Sequence, residues 1–182
     1  MIFTHPFRDP SLFAKITVLV YLCMSVSREV RPQLNLPAID AKIRLGVNGN
    51  ATIFDPFRKR YVRLTPEEWV RQHFLNYLNR EMGYPVSLLV VEASLVYNGM
   101  KKRFDILAYS SRGLPVLIVE CKAPTVSISQ KVFDQVAMYN MSLLVPYLAV
   151  TNGLNHYACY IDRQAGQYRF LDKIPEFHAV NQ

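Results

Sequence analysis

The chain has 182 residues, 21 Lys and Arg against 14 Asp and Glu for a formal charge of +7, and is 51% apolar. That length suits one domain with a core that needs no staples, and the apolar content excludes a disordered chain. Cys23, Cys121 and Cys159 form no CxxC pair, which excludes a zinc site of that kind and suggests a reducing, cytoplasmic compartment.

Residues 1–33 read as an N-terminal extension and residues 34–182 as a single domain. Ile16 to Met24 is an apolar run far short of the ~20 residues of a membrane-spanning helix, so no membrane association is expected. The run has three readings: a signal-peptide core behind Arg8 and Lys15 with a poor cleavage site at Ser25-Val26-Ser27, a short packed helix, or a stretch upstream of a true start at Met24. The last is favoured, because the recognisable pattern begins only near Leu34.

Lys42 to Val47, Asn48-Gly49 and Ala51 to Phe54 predict a strand, a positive-φ turn and a strand, with Tyr61 to Leu64 extending or capping the hairpin. Thr65-Pro66-Glu67-Glu68 opens a helix with Thr as N-cap, Pro at its first position and Glu68 completing a capping box, and Gly83 ends it. Val86 to Tyr97 reads as two short strands or one bent at Glu92. Strands over Arg103 to Tyr109 and Pro115 to Cys121 follow, separated by Ser111-Arg112-Gly113. A second helix is expected from about Ser129 to Met141, then strands at Tyr147 to Thr151 and His156 to Ile161. The fold class is therefore α/β, a mixed central β-sheet flanked by helices with an N-terminal β-hairpin.

Asp105 lies within Phe104-Asp105-Ile106-Leu107-Ala108, and Glu120-Cys121-Lys122 ends the apolar run Val116 to Val119. Alternation sends Glu120 and Lys122 to one face. Structural strands seldom place carboxylates at such inward ends, although a surface salt bridge between Glu120 and Lys122 is the plain alternative. Two carboxylates at an apolar sheet edge repel and lose hydration; a hard divalent cation such as Mg²⁺ offsets both, and an adjacent ammonium can serve an anionic transition state. On the first helix Val70, Phe74, Tyr77 and Leu78 define the buried side. Glu67 falls on it as an unexplained charge, whereas the capping box accounts for Glu68. On the second helix Ile128, Val132, Val136 and Tyr139 form an apolar stripe that includes Gln135. Gln135 and Tyr139 meet either the Lys122 side of the sheet or nucleic acid, or are ordinary core residues.

The basic clusters Arg58-Lys59-Arg60 and Lys101-Lys102 suit a polyanion, with those five side chains as candidate phosphate contacts. There is no GxxxxGK phosphate loop, Rossmann fingerprint or nucleophile elbow, and His5, His73, His156 and His178 are dispersed.

These motifs resemble the PD-(D/E)XK nuclease superfamily, and more closely the N-terminal nuclease domain of type I restriction enzyme R subunits. The resemblance covers roughly Leu34 to Asp162 and rests on Thr65 to Gln72, Arg103 to Leu107, Val119 to Pro124 and Gln135-Val136-Ala137-Met138-Tyr139, which is similar to a QxxxY motif. It implies a restriction-endonuclease-like core acting as a Mg²⁺-dependent DNA endonuclease, with Mn²⁺ as a substitute. Asp105, Glu120 and the Cys121 carbonyl would hold the metal and Lys122 would position water or stabilise the transition state. Glu67 would orient water, with Glu68 as the alternate, and Gln135 and Tyr139 would hold Lys122 or DNA. The implied partners are DNA and a separately encoded motor or specificity subunit. A non-catalytic nucleic-acid-binding or assembly module on the same fold is the competing reading.

Overall fold

The computed structural model describes residues 31–46, 50–97, 100–141, 145–162 and 164–181, without the side chains of 95–97, 100–102, 135 and 138–141. The chain divides into two compact units, Met1–Pro32 and Gln33–Gln182, and the second is described below. The apolar run Ile16 to Met24 and the turns Asn48-Gly49 and Asn98-Gly99 lie outside the described residues.

Strands β1 (Ile43–Leu45), β2 (Ala51–Asp55) and β3 (Arg60–Arg63) form an antiparallel three-stranded sheet. The expected hairpin thus gains a third strand from the Tyr61 run, with Ile53 paired to both Ile43 and Val62 and fully buried. The turn from β2 to β3 is built by Asp55, whose Oδ1 accepts from the Phe57 and Arg58 N–H groups at 2.7 and 3.1 Å. A short acidic side chain that bonds the backbone two and three residues on is a standard turn-former.

Helix α1 (Pro66–Arg80) starts as its sequence dictates, with Thr65 in extended conformation accepting from the Glu68 N–H at 3.0 Å and Pro66 in the first turn. It ends through Glu81 and Met82, which both donate to the Tyr77 carbonyl, before Gly83 turns the chain at φ +76°. Phe74, Leu75 and Leu78 are fully buried, each contributing about 1.5–3 kcal/mol by removal from water.

The main sheet has six strands in the order β4-β5-β6-β7-β8-β9: Leu89–Tyr97, Met100–Tyr109, Pro115–Cys121, Tyr147–Thr151, His156–Asp162 and Gln167–Leu171. Every neighbouring pair is antiparallel except β6 and β7, which run parallel because helix α2 (Gln130–Met141) carries the chain between them. The architecture is the expected mixed sheet with flanking helices. Strand β9 and the short helix α3 (Phe177–Val180) were not foreseen. The apolar stripe of α2 is also displaced: Phe133 and Ala137 are its buried centre, with Ile128 and Val136 at the margin.

Alternation along the strands gives the sheet two cores. Ile106, Ala108, Leu117, Val119 and Ala149 pack with α1, and Leu107, Ile118, Leu148 and Val150 pack with Phe133 and Ala137. On β4 and β5 this alternation fails at one step. Val91 and Ile106 belong to the first core, but the next pair in register, Ala93 and Phe104, belongs to the second. Between them stand Glu92, at φ +54°, and Asp105. The single strand bent at Glu92 is the outcome of the two readings left open.

The segment before β1 is tied to the sheet through Asn35, whose N–H donates to the Gly153 carbonyl at 2.7 Å. Gly153 has φ +82°, and a Cβ there would stand 2.7 Å from Leu34 Cδ2 and 3.0 Å from Val70 Cγ2. Gly153→Ala is therefore expected to destabilise the fold by about 2–3 kcal/mol through strain and overpacking together, seen as a lowered urea midpoint at unchanged slope.

Candidate active site

Asp105 and Glu120 meet where a ladder ends. Strands β5 and β6 pair through Ile106↔Val119, and one further step of that register brings Asp105 opposite Glu120. At that step the Asp105 side chain takes over: its Oδ2 accepts the Cys121 N–H at 2.7 Å, while Glu120 and Cys121 continue to pair with Val150 and Thr151 of β7. Both carboxylates thus sit on a backbone fixed by buried neighbours.

Lys122 extends the same strand, its N–H donating to the Thr151 carbonyl and its Nζ to Glu120 Oε1 at 2.7 Å. The shared face predicted for Glu120 and Lys122 is present, and the pair is partly buried. Burial pushes the Glu120 carboxyl up, offset in part by the Lys122 hydrogen bond and reinforced by the charges of Asp105 and Glu67. Burial works against the Lys122 charge, but the Glu120 bond and the charges of Glu120, Asp105 and Glu67 outweigh it and raise the ammonium above its ordinary value. Lys122 is therefore a firmly protonated donor.

Helix α1 corrects one expectation. Glu68, which the capping box alone was to account for, is buried with its side chain 5% exposed, whereas the Glu67 side chain is 45% exposed. Glu68 accepts from Arg58 and Arg71, and from Gln72 at 2.9 Å, so its carboxylate is committed to cations instead of completing a capping box. The physical reason is that Arg58, in the β2–β3 turn, meets the helix side that periodicity alone leaves to solvent. Glu67 lies within electrostatic reach of Asp105 and Lys122: burial raises its carboxyl, the Asp105 charge raises it further, and Arg71 and Lys122 oppose that rise.

Arg71 joins these groups. Its Nη2 donates to Asp105 Oδ1 at 2.6 Å and to Glu67 Oε1 at 3.1 Å, and its Nη1 donates to Glu68. Arg58 is the parallel case, 11% exposed and paired with Asp55, Glu68 and Glu92. It is thus enclosed by carboxylates and withdrawn from the phosphate-contact role expected for it. Lys59 is exposed beside it at φ +54°, and Arg60 is 65% exposed, 3.9 Å from Glu92. The side chains of Lys101 and Lys102 on β5, and of Gln135 and Tyr139 on α2, lie outside the described residues.

These groups line a cleft of about 600 Å³ that includes Arg58, Arg60, Arg63, Glu67, Glu68, Arg71, Glu92, Arg103, Asp105 and Glu120. Sequence reading missed Arg63, Arg71, Glu92 and Arg103 as cleft residues. Arg71 was open to detection, since it stands three and four residues after Glu68 and Glu67 at the spacing of helical ion pairs. The pairing of Arg58 and Arg103 with Glu92 is long-range and leaves no local signal.

The donor chemistry fits a hard divalent cation that keeps most of its waters. Mg²⁺ needs only one or two carboxylates, and Glu120 is pushed up by burial in the company of Asp105 and Glu67, a repulsion that a cation relieves. Among the described residues there is no cluster of three or more His, Cys, Asp and Glu side chains arranged to hold a metal. The Cys121 thiol is fully buried and its pKa raised well above the ordinary value, so it remains a thiol and is no sulfur ligand.

The fold and site define a mixed α/β domain with an acidic pair on adjacent strands and a lysine just past the end of one of them. Residues 66–175 match the family model for the type I restriction enzyme R protein N terminus, and the chain belongs to that family. Among solved structures, a fragment assigned to an HsdR subunit of a type I restriction enzyme from Vibrio vulnificus YJ016 aligns at 20% identity and a TM-score of 0.47. The alignment covers 63% of this chain and 24% of that one, so the chain spans about a quarter of that structure's length. No curated protein matches the chain.

The two helix glutamates are separable by stability. Glu68→Ala leaves two enclosed guanidiniums short of a partner and is expected to cost roughly 3 kcal/mol or more, whereas Glu67→Ala removes a half-exposed group and should cost under about 1 kcal/mol. Urea denaturation at neutral pH measures both, and equal losses would contradict the burial difference.

Proposed function

We propose that this chain is a Mg²⁺-dependent endodeoxyribonuclease domain with a PD-(D/E)XK site. The observation that carries the reading is the approach of Asp105, in the middle of β5 where its pairing with β6 stops, to Glu120 and Lys122 at the end of β6, with Glu67 in electrostatic reach. Asp105 and Glu120, with the Cys121 carbonyl, would hold the ion, Mn²⁺ serving as a substitute. Bound there, the cation supplies positive charge against the charge that grows on the phosphate during hydrolysis.

The remaining work falls to side chains. Lys122 is held protonated beside Glu120, where its N–H groups orient the attacking water or stabilise the phosphate oxygens of the transition state. Glu67, half-exposed and with a raised carboxyl, orients the water from the helix side. Gln135 and Tyr139 would hold Lys122 or the DNA, as the resemblance to a QxxxY motif implies. Exposed Lys59, Arg60, Arg63 and Arg103, with Lys101 and Lys102, contact backbone phosphates, so affinity falls steeply with ionic strength and depends little on sequence. The partners of this reading are DNA and a separately encoded motor or specificity subunit, acting in the cytoplasm. Among the described residues no helix is long and apolar enough to cross a membrane.

The test is cleavage of supercoiled plasmid in Mg²⁺ or Mn²⁺ against the same protein in chelator. Asp105→Ala and Glu120→Ala are expected to abolish cleavage and metal binding. Lys122→Ala should keep DNA and metal binding while turnover falls by ~10²-fold or more, the loss typical of one electrostatic stabiliser. A folded wild type that binds duplex DNA yet leaves plasmid, single-stranded and branched substrates intact would assign the chain to the non-catalytic binding or assembly module instead.

A further inference from the structure

We propose that Arg71 is a built-in cation of this site: it holds Asp105 in place and is displaced from the Asp105 carboxylate when a divalent cation binds. The inference rests on the reading of Asp105 and Glu120 as a divalent-cation site and names the group that such an ion must compete with.

Three observations support it. Arg71 is enclosed, its side chain 8% exposed, so its charge was placed here at a desolvation cost that three carboxylates repay. Its contact with Asp105 Oδ1, at 2.6 Å, occupies the oxygen left over after Oδ2 accepts the Cys121 N–H. The third is slack in the guanidinium. Arg71 Nε is buried without a hydrogen-bond partner among the described residues, so the group is not locked by a full set of bonds and can turn while Glu68 retains it.

Competition has a signature that a supporting role lacks. Removing a positive charge from beside Asp105 raises the attraction of the site for a second cation, so metal binding tightens. With the ion bound Arg71 has already left Asp105, so turnover at saturating metal changes little. A residue that only maintained structure would, on removal, weaken metal binding and cleavage together.

The experiment uses the full chain. Calorimetric titration with Mn²⁺ compares wild type, Arg71→Gln and Arg71→Lys; the expected result is binding about tenfold tighter in Arg71→Gln, with plasmid cleavage at saturating Mn²⁺ within about threefold of wild type. Arg71→Lys, which keeps the competing charge, should leave Mn²⁺ affinity near wild type. If Arg71→Gln does not fold, wild type alone decides the matter. In protein labelled with ¹⁵N-arginine, the side-chain Nε–H resonance assigned to Arg71 by its absence in Arg71→Lys should shift on Mg²⁺ addition, in step with binding. Mg²⁺ binding that leaves this resonance unmoved, or Mn²⁺ binding that weakens in folded Arg71→Gln, overturns the proposal and leaves the metal site standing. Wild type that binds neither Mg²⁺ nor Mn²⁺ overturns both.

Discussion

Six carboxylates, Asp55, Glu67, Glu68, Glu92, Asp105 and Glu120, are drawn towards one region of the second unit, and four of them line a common cleft with Glu120. Like charges that lose hydration together cannot remain ionised without cations among them, and two arginines supply most of that compensation. Arg58 serves Asp55, Glu68 and Glu92; Arg71 serves Glu67, Glu68 and Asp105. Glu68 belongs to both sets. Through it, the small sheet, helix α1 and the main sheet are fixed relative to one another by bonds that have direction, which apolar packing lacks. Enclosed ion pairs of this kind are roughly neutral for stability against an apolar replacement, so their physical effect here is placement.

Placement is what the site requires. Asp105 is held on both oxygens, one by Arg71 from the helix and one by the Cys121 N–H from the neighbouring strand. Its backbone neighbours Phe104 and Ile106 are buried in different cores, so the residue cannot shift without disturbing both. Glu120 and Lys122 inherit rigidity from β6, whose apolar run is buried on both faces and paired on both edges. The one-sided environment that lets a surface salt bridge wander is absent for this pair.

The strands that carry Asp105, Glu120 and Lys122, and helix α1 beside them, were legible because local signals agree with the tertiary result. Pro66 after Thr65, Gly83 at the helix end and the short Ser111-Arg112-Gly113 connection each admit few backbone solutions, and the fold uses them. Strand β9 was not legible. Its Gln167-Tyr168-Arg169-Phe170-Leu171 run is a half-exposed edge strand, and its pairing with β8 is its main support. Glu68 was misread for a related reason: a period-3.6 analysis identifies the side that faces apolar residues, whereas this helix has a second covered side that faces a guanidinium. On α2 the same method chose Val132 and Val136 over Phe133 and Ala137, neighbouring stripes that are both apolar.

Glu92 shows how the same charge balance shapes the approach to the cleft. A non-glycine residue at φ +54° inside a strand costs of order 1–3 kcal/mol and persists only where its surroundings over-determine it. Here they do: Arg58 at 3.1 Å, Arg103 and Arg60 surround its carboxylate. Enclosed Arg58 is turned inward by the contact, while Arg60 and Arg103, 65% and 68% exposed, remain open to solvent. Under the proposed function this separates the arginines by task. The enclosed pair, Arg58 and Arg71, balances the carboxylates, and the exposed pair at the rim is left to meet a phosphate backbone. A polyanion then approaches along the Arg60–Arg103 side, where positive charge is accessible, and the acidic groups deeper in the cleft stay screened from it by the two arginines they hold.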